Sequence, residues 1–179
     1  MSLIILDRDG VINHDSGEVI ASPADWTPID GSLEAIARLN QAGYRVVVIT
    51  NQPGISEGHL DVETLTKVHS KMRRMLTQVG GKIEAILYCP HKAVESCNCW
   101  QPRESAYSEL SNRLRIDLSN VPVISASLMR IETVTSVNAK PILVRTGYAE
   151  ISQTGDIPAG VDVYDDLAAV VTHLLDPVN

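Results

Sequence analysis

A chain of 179 residues with a formal net charge of −7 and 44% hydrophobic content has the size of one globular domain and an acidic surface. That balance excludes a nucleic-acid backbone or an anionic membrane as its main partner, and any phosphate site must therefore concentrate positive charge locally. Phe is absent, so the core must rest on Ile, Val and Leu. The opening "MSLIILDRDG" lacks the basic and long apolar regions of a signal peptide, and no apolar stretch approaches the roughly 18 residues of a membrane span. The expectation is a soluble, cytoplasmic monomer in a single domain, 1–179.

In chain order, Leu3–Leu6 is the first strand. "GSLEAIARLNQAG" (31–43) reads as a helix, with Leu33, Ile36, Ala37 and Leu39 at helical spacing and Gly43 where a C-cap belongs. "YRVVVIT" (44–50) is a second buried strand, and "NQPGISEG" after it is a turn. Residues 61–79 form a helix capped by Asp61, with Leu65, Val68, Met72 and Leu76 as its stripe. "IEAILYC" (83–89) leads into a loop that holds all three cysteines. A helix near 104–115, a strand at 121–125, a helix near 128–137 and a strand at 141–145 follow. "VDVYDDLAAVVTHLL" supplies a short strand and a helix. Such alternation predicts an α/β fold, a parallel sheet with helices on both faces. Ligands bind such sheets outside the carboxyl ends of the strands, where Asp7, Asp9, Thr50, Asn51, Ser125 and Ala126 should converge.

Asp7 and Asp9, two apart at a strand end, have the types needed to share Mg²⁺ or to act as nucleophile and general acid. The same pattern also occurs in a polar turn that merely ends a strand. Thr50 and Asn51 offer a hydroxyl, an amide and backbone N–H groups to phosphate oxygens, or form an ordinary turn. Cys89, His91, Cys97 and Cys99 form C-x-H-x₅-C-x-C, a closed set of three thiolates and one imidazole that suits structural Zn²⁺. The alternative is three buried thiols and a surface histidine, and zinc is the reading adopted.

"LDRDGVIN", "TNQPGISEG" and the "CPH…CNC" loop together resemble the haloacid dehalogenase superfamily of phosphohydrolases. Within it the likeness is strongest to the D-glycero-D-manno-heptose 1,7-bisphosphate phosphatases, with the histidinol phosphatases next, and it runs through "LVRTG" (143–147) and the last helix. The resemblance implies a Rossmann-like sheet with a minimal cap. By it Asp7 is the nucleophile and a Mg²⁺ ligand, Asp9 is the general acid/base with its carbonyl on the metal, Thr50 and Asn51 bind the phosphoryl group, and the cysteine loop holds zinc.

The chain departs from the family where the chemistry lies. Trp100 and Gln101 stand where the family has Arg and the catalytic Lys. Ala126 stands at the Mg²⁺-binding Asp, Arg130 at an acid four residues later, and Glu57 near a usual arginine. Losing one metal carboxylate and the lysine strikes the same phosphoryl-transfer step twice, and one such contact commonly contributes about 10²–10³ in rate. Arg103 and Arg130 are cations that could compensate, with Glu132 the nearest acid, but both arginines are expected to be solvated surface residues.

Three functions follow. The first is a Mg²⁺-dependent phosphatase on a small phosphorylated sugar, strongly impaired, with Mg²⁺ binding weakened or absent. The second is an inactive relative with a binding or regulatory role toward a protein partner, for which Trp100 at the crevice would serve; alternatively Trp100 simply packs beside the zinc loop. The third is a histidinol-phosphate phosphatase.

Overall fold

The computed structural model describes residues 2–94, 97–100, 104–146 and 157–176, leaving aside the side chain of Ser105. Six strands form one all-parallel sheet: β1 Leu3–Asp7, β2 Arg45–Asn51, β3 Ala85–Cys89, β4 Pro122–Ser125, β5 Lys140–Val144 and β6 Asp162–Tyr164. Among the described residues five α-helices connect or follow them: α1 Ser32–Gln41, α2 Val62–Gln78, α3 Glu104–Leu114, α4 Leu128–Ser136 and α5 Leu167–Leu175. The strand order is β3-β2-β1-β4-β5-β6. The chain winds outward from β1 to β3 and then crosses back to lay β4 on the other side of β1. β1 is therefore the switch point, and its carboxyl end is the place where such sheets hold ligands.

Period-2 alternation divides the core. Ile4 and Leu6 of β1 and Val46 and Val48 of β2 face one way, onto α1, α2 and α5 through residues such as Ile36, Met72 and Val170. Leu3, Ile5, Val47 and Ile49 face the other way, onto Tyr107 and Leu110 of α3 and Val134 of α4. Burial on both faces is what makes these strands read as continuous aliphatic runs. The same alternation carries past the apolar run: Asp7 continues the Leu3–Ile5 face and Arg8 the Ile4–Leu6 face.

The expected elements are present, with small shifts at their ends. β1 runs one residue further than Leu6, so Asp7 belongs to the strand and pairs with Ile49. α2 begins after Asp61, whose Oδ1 accepts the Thr64 amide at 2.6 Å. β3 is confined to Ala85–Cys89, shorter than the apolar run at 83–89. Beyond β1 the chain reverses through Gly10, whose φ of 76° is a left-handed conformation natural to glycine; its N–H bonds to the Asn13 carbonyl at 2.8 Å. The loop that follows is anchored to α2 by Lys71, whose Nζ donates to the Pro23 and Trp26 carbonyls at 2.7 Å each. No helix among the described residues is long and apolar enough to cross a membrane.

Candidate active site and metal centre

The carboxyl ends of β1, β2 and β4 bring Asp7, Asp9, Thr50, Asn51 and Ser125 together, as the topology predicts. A cleft of about 230 Å³ opens there, lined among others by Arg8, Asp9, Asn51, Gln52 and Arg130. Asp15 and Glu18 also line it, so among the described residues its positive charge rests on the two arginines.

Asp7 is 1% exposed and does not itself line the cleft. Its Oδ2 accepts the Ser125 hydroxyl at 2.5 Å and faces Arg130 Nη1 at 2.7 Å. Its Oδ1 is buried without a hydrogen-bond partner among the described residues. Burial pushes the Asp7 carboxyl above its ordinary range, and Arg130 and Ser125 pull against that. Burial also works against the charge on Arg130, but Asp7 more than offsets it.

Arg130 is thus not the solvated surface residue expected from the sequence. It occupies the first turn of α4, directly after β4. Helical side chains lean toward their helix N-terminus, which carries this one over the strand ends and onto Asp7. Of the other residues weighed for that place, Glu132 is exposed on α4, and Gln101 and Arg103 lie outside the described residues. Ala126 is 8% exposed and its methyl joins the apolar cluster under α1 and α5.

Asp9 is held by a different set. Arg8 Nη2 reaches both of its oxygens, at 2.8 and 3.0 Å, and Arg8 Nε adds a third bond at 3.0 Å. Asn13 Nδ2 donates at 3.0 Å, Thr50 Oγ1 at 3.1 Å and Gln52 Nε2 at 3.2 Å. Burial raises the Asp9 carboxyl, but Arg8 and these donors outweigh it and hold the group below its ordinary range. Arg8 is itself braced from α2: its Nη1 lies 3.2 Å from His69 Nε2. Burial and the neighbouring guanidinium press His69 down to about 4, so it is neutral at pH 7 and accepts from Arg8.

Sequence reasoning did not assign roles to Arg8, Asn13, Gln52 or His69. Two of these carried a signal. Arg8 stands one alternation step from Asp7, which aims it at α2. His69 is four residues after Leu65 and three before Met72, on the helix face that α2 buries.

The expected zinc ligands do assemble. Cys99 Sγ lies 2.9 Å from Cys89 Sγ and 3.3 Å from His91 Nδ1, and Cys97 Sγ lies 3.6 Å from Cys89 Sγ. All four ligand atoms fall within 4.8 Å of one another, a set placed to hold a metal ion. Burial works against the Cys97 thiolate, but the amides of Cys99 and Trp100 and the adjacent thiols bring the thiol down to about 7. Trp100 is half-buried beside this cluster and does not line the cleft, and Glu57 sits on an exposed turn opposite His59. The cluster abuts the active-site turn: the Gln52 amide donates to the Cys89 carbonyl at 2.7 Å and the Ser56 amide to the Pro90 carbonyl at 3.2 Å.

The family model for polynucleotide kinase 3 phosphatase matches residues 2–125. The D-glycero-β-D-manno-heptose-1,7-bisphosphate 7-phosphatase of Bordetella bronchiseptica is 43% identical over 98% of each chain. The enzyme of that name from Pseudomonas aeruginosa is 40% identical over 97% of this chain and 98% of its own. This chain belongs to the heptose bisphosphate phosphatase family of the haloacid dehalogenase superfamily. A crystal structure of the B. bronchiseptica family member, complexed with magnesium and phosphate, superposes with a TM-score of 0.93 over 99% of this chain and 100% of that one.

Against that family background, the residues present here fit two metals very differently. Three sulfurs and one imidazole nitrogen in a closed group suit a tetrahedral structural ion. The acidic side chains do not fit Mg²⁺: the Asp9 carboxylate is consumed by four side chains, which leaves only its main-chain carbonyl, Ala126 offers a methyl group, and Asp7 already carries a guanidinium. One remaining carboxylate oxygen beside a fixed positive charge is a poor substitute for an oxygen-rich site.

Proposed function

We propose that this chain is a phosphomonoesterase of the heptose bisphosphate type whose hydrolysis is strongly impaired, and that the Arg130–Asp7 ion pair is what impairs it. In the route its residues support, a carboxylate oxygen of Asp7 attacks phosphorus and the ester P–O bond breaks, giving an aspartyl-phosphate. Oδ1, the oxygen without a partner among the described residues, is the attacking atom. Asp9 protonates the departing sugar oxygen, then takes a proton from the water that attacks phosphorus and releases phosphate. Thr50 orients Asp9, and Asn51 faces the phosphoryl group.

Each step is weakened by a feature already described. The nucleophile is sealed behind Arg130, which neutralises it in the ground state and lowers its reactivity. Asp9, held ionised by Arg8, Asn13, Thr50 and Gln52, is a poor proton donor. The zinc-class cluster at Cys89, His91, Cys97 and Cys99 serves structure, bracing the turn at 52–56, and Zn²⁺ is the ion its donors favour. The setting is a cytoplasmic, single-domain monomer acting on a small phosphorylated sugar.

The same ion pair favours a second reading, a binding protein that retains the crevice without turnover. Phosphate release from heptose 1,7-bisphosphate, histidinol phosphate and an aryl phosphate, with Mg²⁺ present, separates the two. Wild type should give slow release that Asp7→Asn abolishes, and Ala126→Asp with Gln101→Lys and Arg130→Met should raise it. No Asp7-dependent release from wild type, with activity regained in that triple variant, selects the binding protein. Wild-type turnover at ordinary rates of about 1–10³ s⁻¹, lost in Asp7→Asn, overturns the impairment.

A further inference from the structure

We propose that Arg130 is a resident cation standing in for the divalent metal, so that the cleft takes a phosphate-class anion through this guanidinium without Mg²⁺. The inference rests on the phosphate-handling reading above and adds to it the identity of the charge that receives the anion.

Three observations carry it. First, the end of β4 presents the buried methyl of Ala126, and Arg130 Nη1 lies on the Asp7 oxygen that Ser125 also bonds. Neutralisation of the buried carboxylate, the task of a cation there, is already done. Second, Arg130 faces both ways. It touches Asp7 at 2.7 Å, yet its side chain keeps 20% of its surface exposed and lines the cleft, from which Asp7 is absent. A guanidinium has five donors in a planar fork, so contact with one carboxylate oxygen leaves donor capacity for an oxyanion on its other edge. Third, the other arginine is committed: Arg8 spends its Nε and Nη2 on Asp9 and its Nη1 on His69. With Asp15 and Glu18 also on the cleft wall, Arg130 is, among the described residues, the cation positioned to attract a phosphate there.

The same geometry disfavours the metal. A divalent ion on Asp7 would sit against a guanidinium fixed on the same carboxylate, and like charges this close repel strongly in a water-poor site. Anion and metal are therefore expected to respond in opposite senses to removal of Arg130.

The test uses the zinc-loaded full chain in metal-depleted buffer, so that chelators do not strip the cysteine cluster. Inorganic phosphate is titrated calorimetrically with and without millimolar Mg²⁺, and Mn²⁺ is titrated by the loss of its free-ion paramagnetic resonance signal. Wild type should bind phosphate equally well with and without Mg²⁺ and show no saturable Mn²⁺ site. Arg130→Met should weaken phosphate binding by about tenfold or more, Arg130→Lys by less, and Ala126→Asp with Arg130→Met should gain a Mn²⁺ site. Phosphate binding by wild type only when Mg²⁺ is present, or a Mn²⁺ site that Asp7→Asn removes, overturns the inference and leaves the phosphatase reading intact. No phosphate binding in any variant or condition, the restored one with Mg²⁺ included, overturns both. If Arg130→Met fails to fold, the wild-type comparison with and without Mg²⁺ decides by itself.

Discussion

Arg130 Nη1 stands 2.7 Å from Asp7 Oδ2, and through that contact the first turn of α4 closes over the end of β1. A buried carboxylate at a strand end must find a counter-charge or be neutralised by a proton. In this chain the counter-charge is built into the fold.

The second acid has its own partner. Arg8→Met removes the fork that holds Asp9 and leaves a mostly buried carboxylate with amide and hydroxyl donors alone. We expect a loss of about 3 kcal/mol in urea unfolding, and Arg8→Lys should recover only part of it because an ammonium cannot span both oxygens. Since the folded state holds Asp9 below 3.8, its contribution is complete above that ordinary value and is lost as pH falls through the folded one. The mutant's deficit should therefore shrink in acid. An equal deficit at every pH would mean that Arg8 acts through packing.

His69 yields a second pH dependence. Its folded value is about 4 against an ordinary 6.5, so between these the unfolded chain takes up a proton that the folded chain refuses. Stability should fall as pH drops from 6.5 toward 4, by up to about 3 kcal/mol, and level off below. Unfolding measured across that range should be flatter in His69→Gln, which keeps an acceptor for Arg8. A wild-type curve that matches the His69→Gln curve would contradict the account.

The cysteine cluster makes a compositional prediction. Elemental analysis should find one zinc per chain, and its removal or Cys97→Ser should lower the melting temperature by about 5–10 °C. Because the Gln52 amide hangs from the Cys89 carbonyl, the same treatment should speed amide exchange at Gln52. A protein free of zinc with unaltered melting would assign the four ligands to packing.

Much of this was legible in the sequence because it depends on local chemistry. The aliphatic runs that end at Asp7 and Asn51 mark strands buried on both faces, and C-x-H-x₅-C-x-C needs only a loop to bring its atoms together. Asp61 announces the start of α2 by its capping carboxylate. The direction of Arg130 was not legible, since it depends on the phase at which α4 leaves β4, and exposed solvation is the ordinary state of an arginine. The grip on Asp9 was hidden for a related reason: Gln52 and His69 meet Arg8 and Asp9 only once the β1–β2 register and the packing of α2 are fixed.

The most direct test of the central claim is a double-mutant cycle on Asp7 and Arg130. Asp7→Asn, Arg130→Met and the pair are unfolded in urea at pH 7. Each single change should cost about 3 kcal/mol by stranding its partner, and the pair much less than their sum, with a coupling of about 2 kcal/mol or more. Losses that add to within about 0.5 kcal/mol would show that the two groups ignore one another, and the account of a neutralised nucleophile would be wrong.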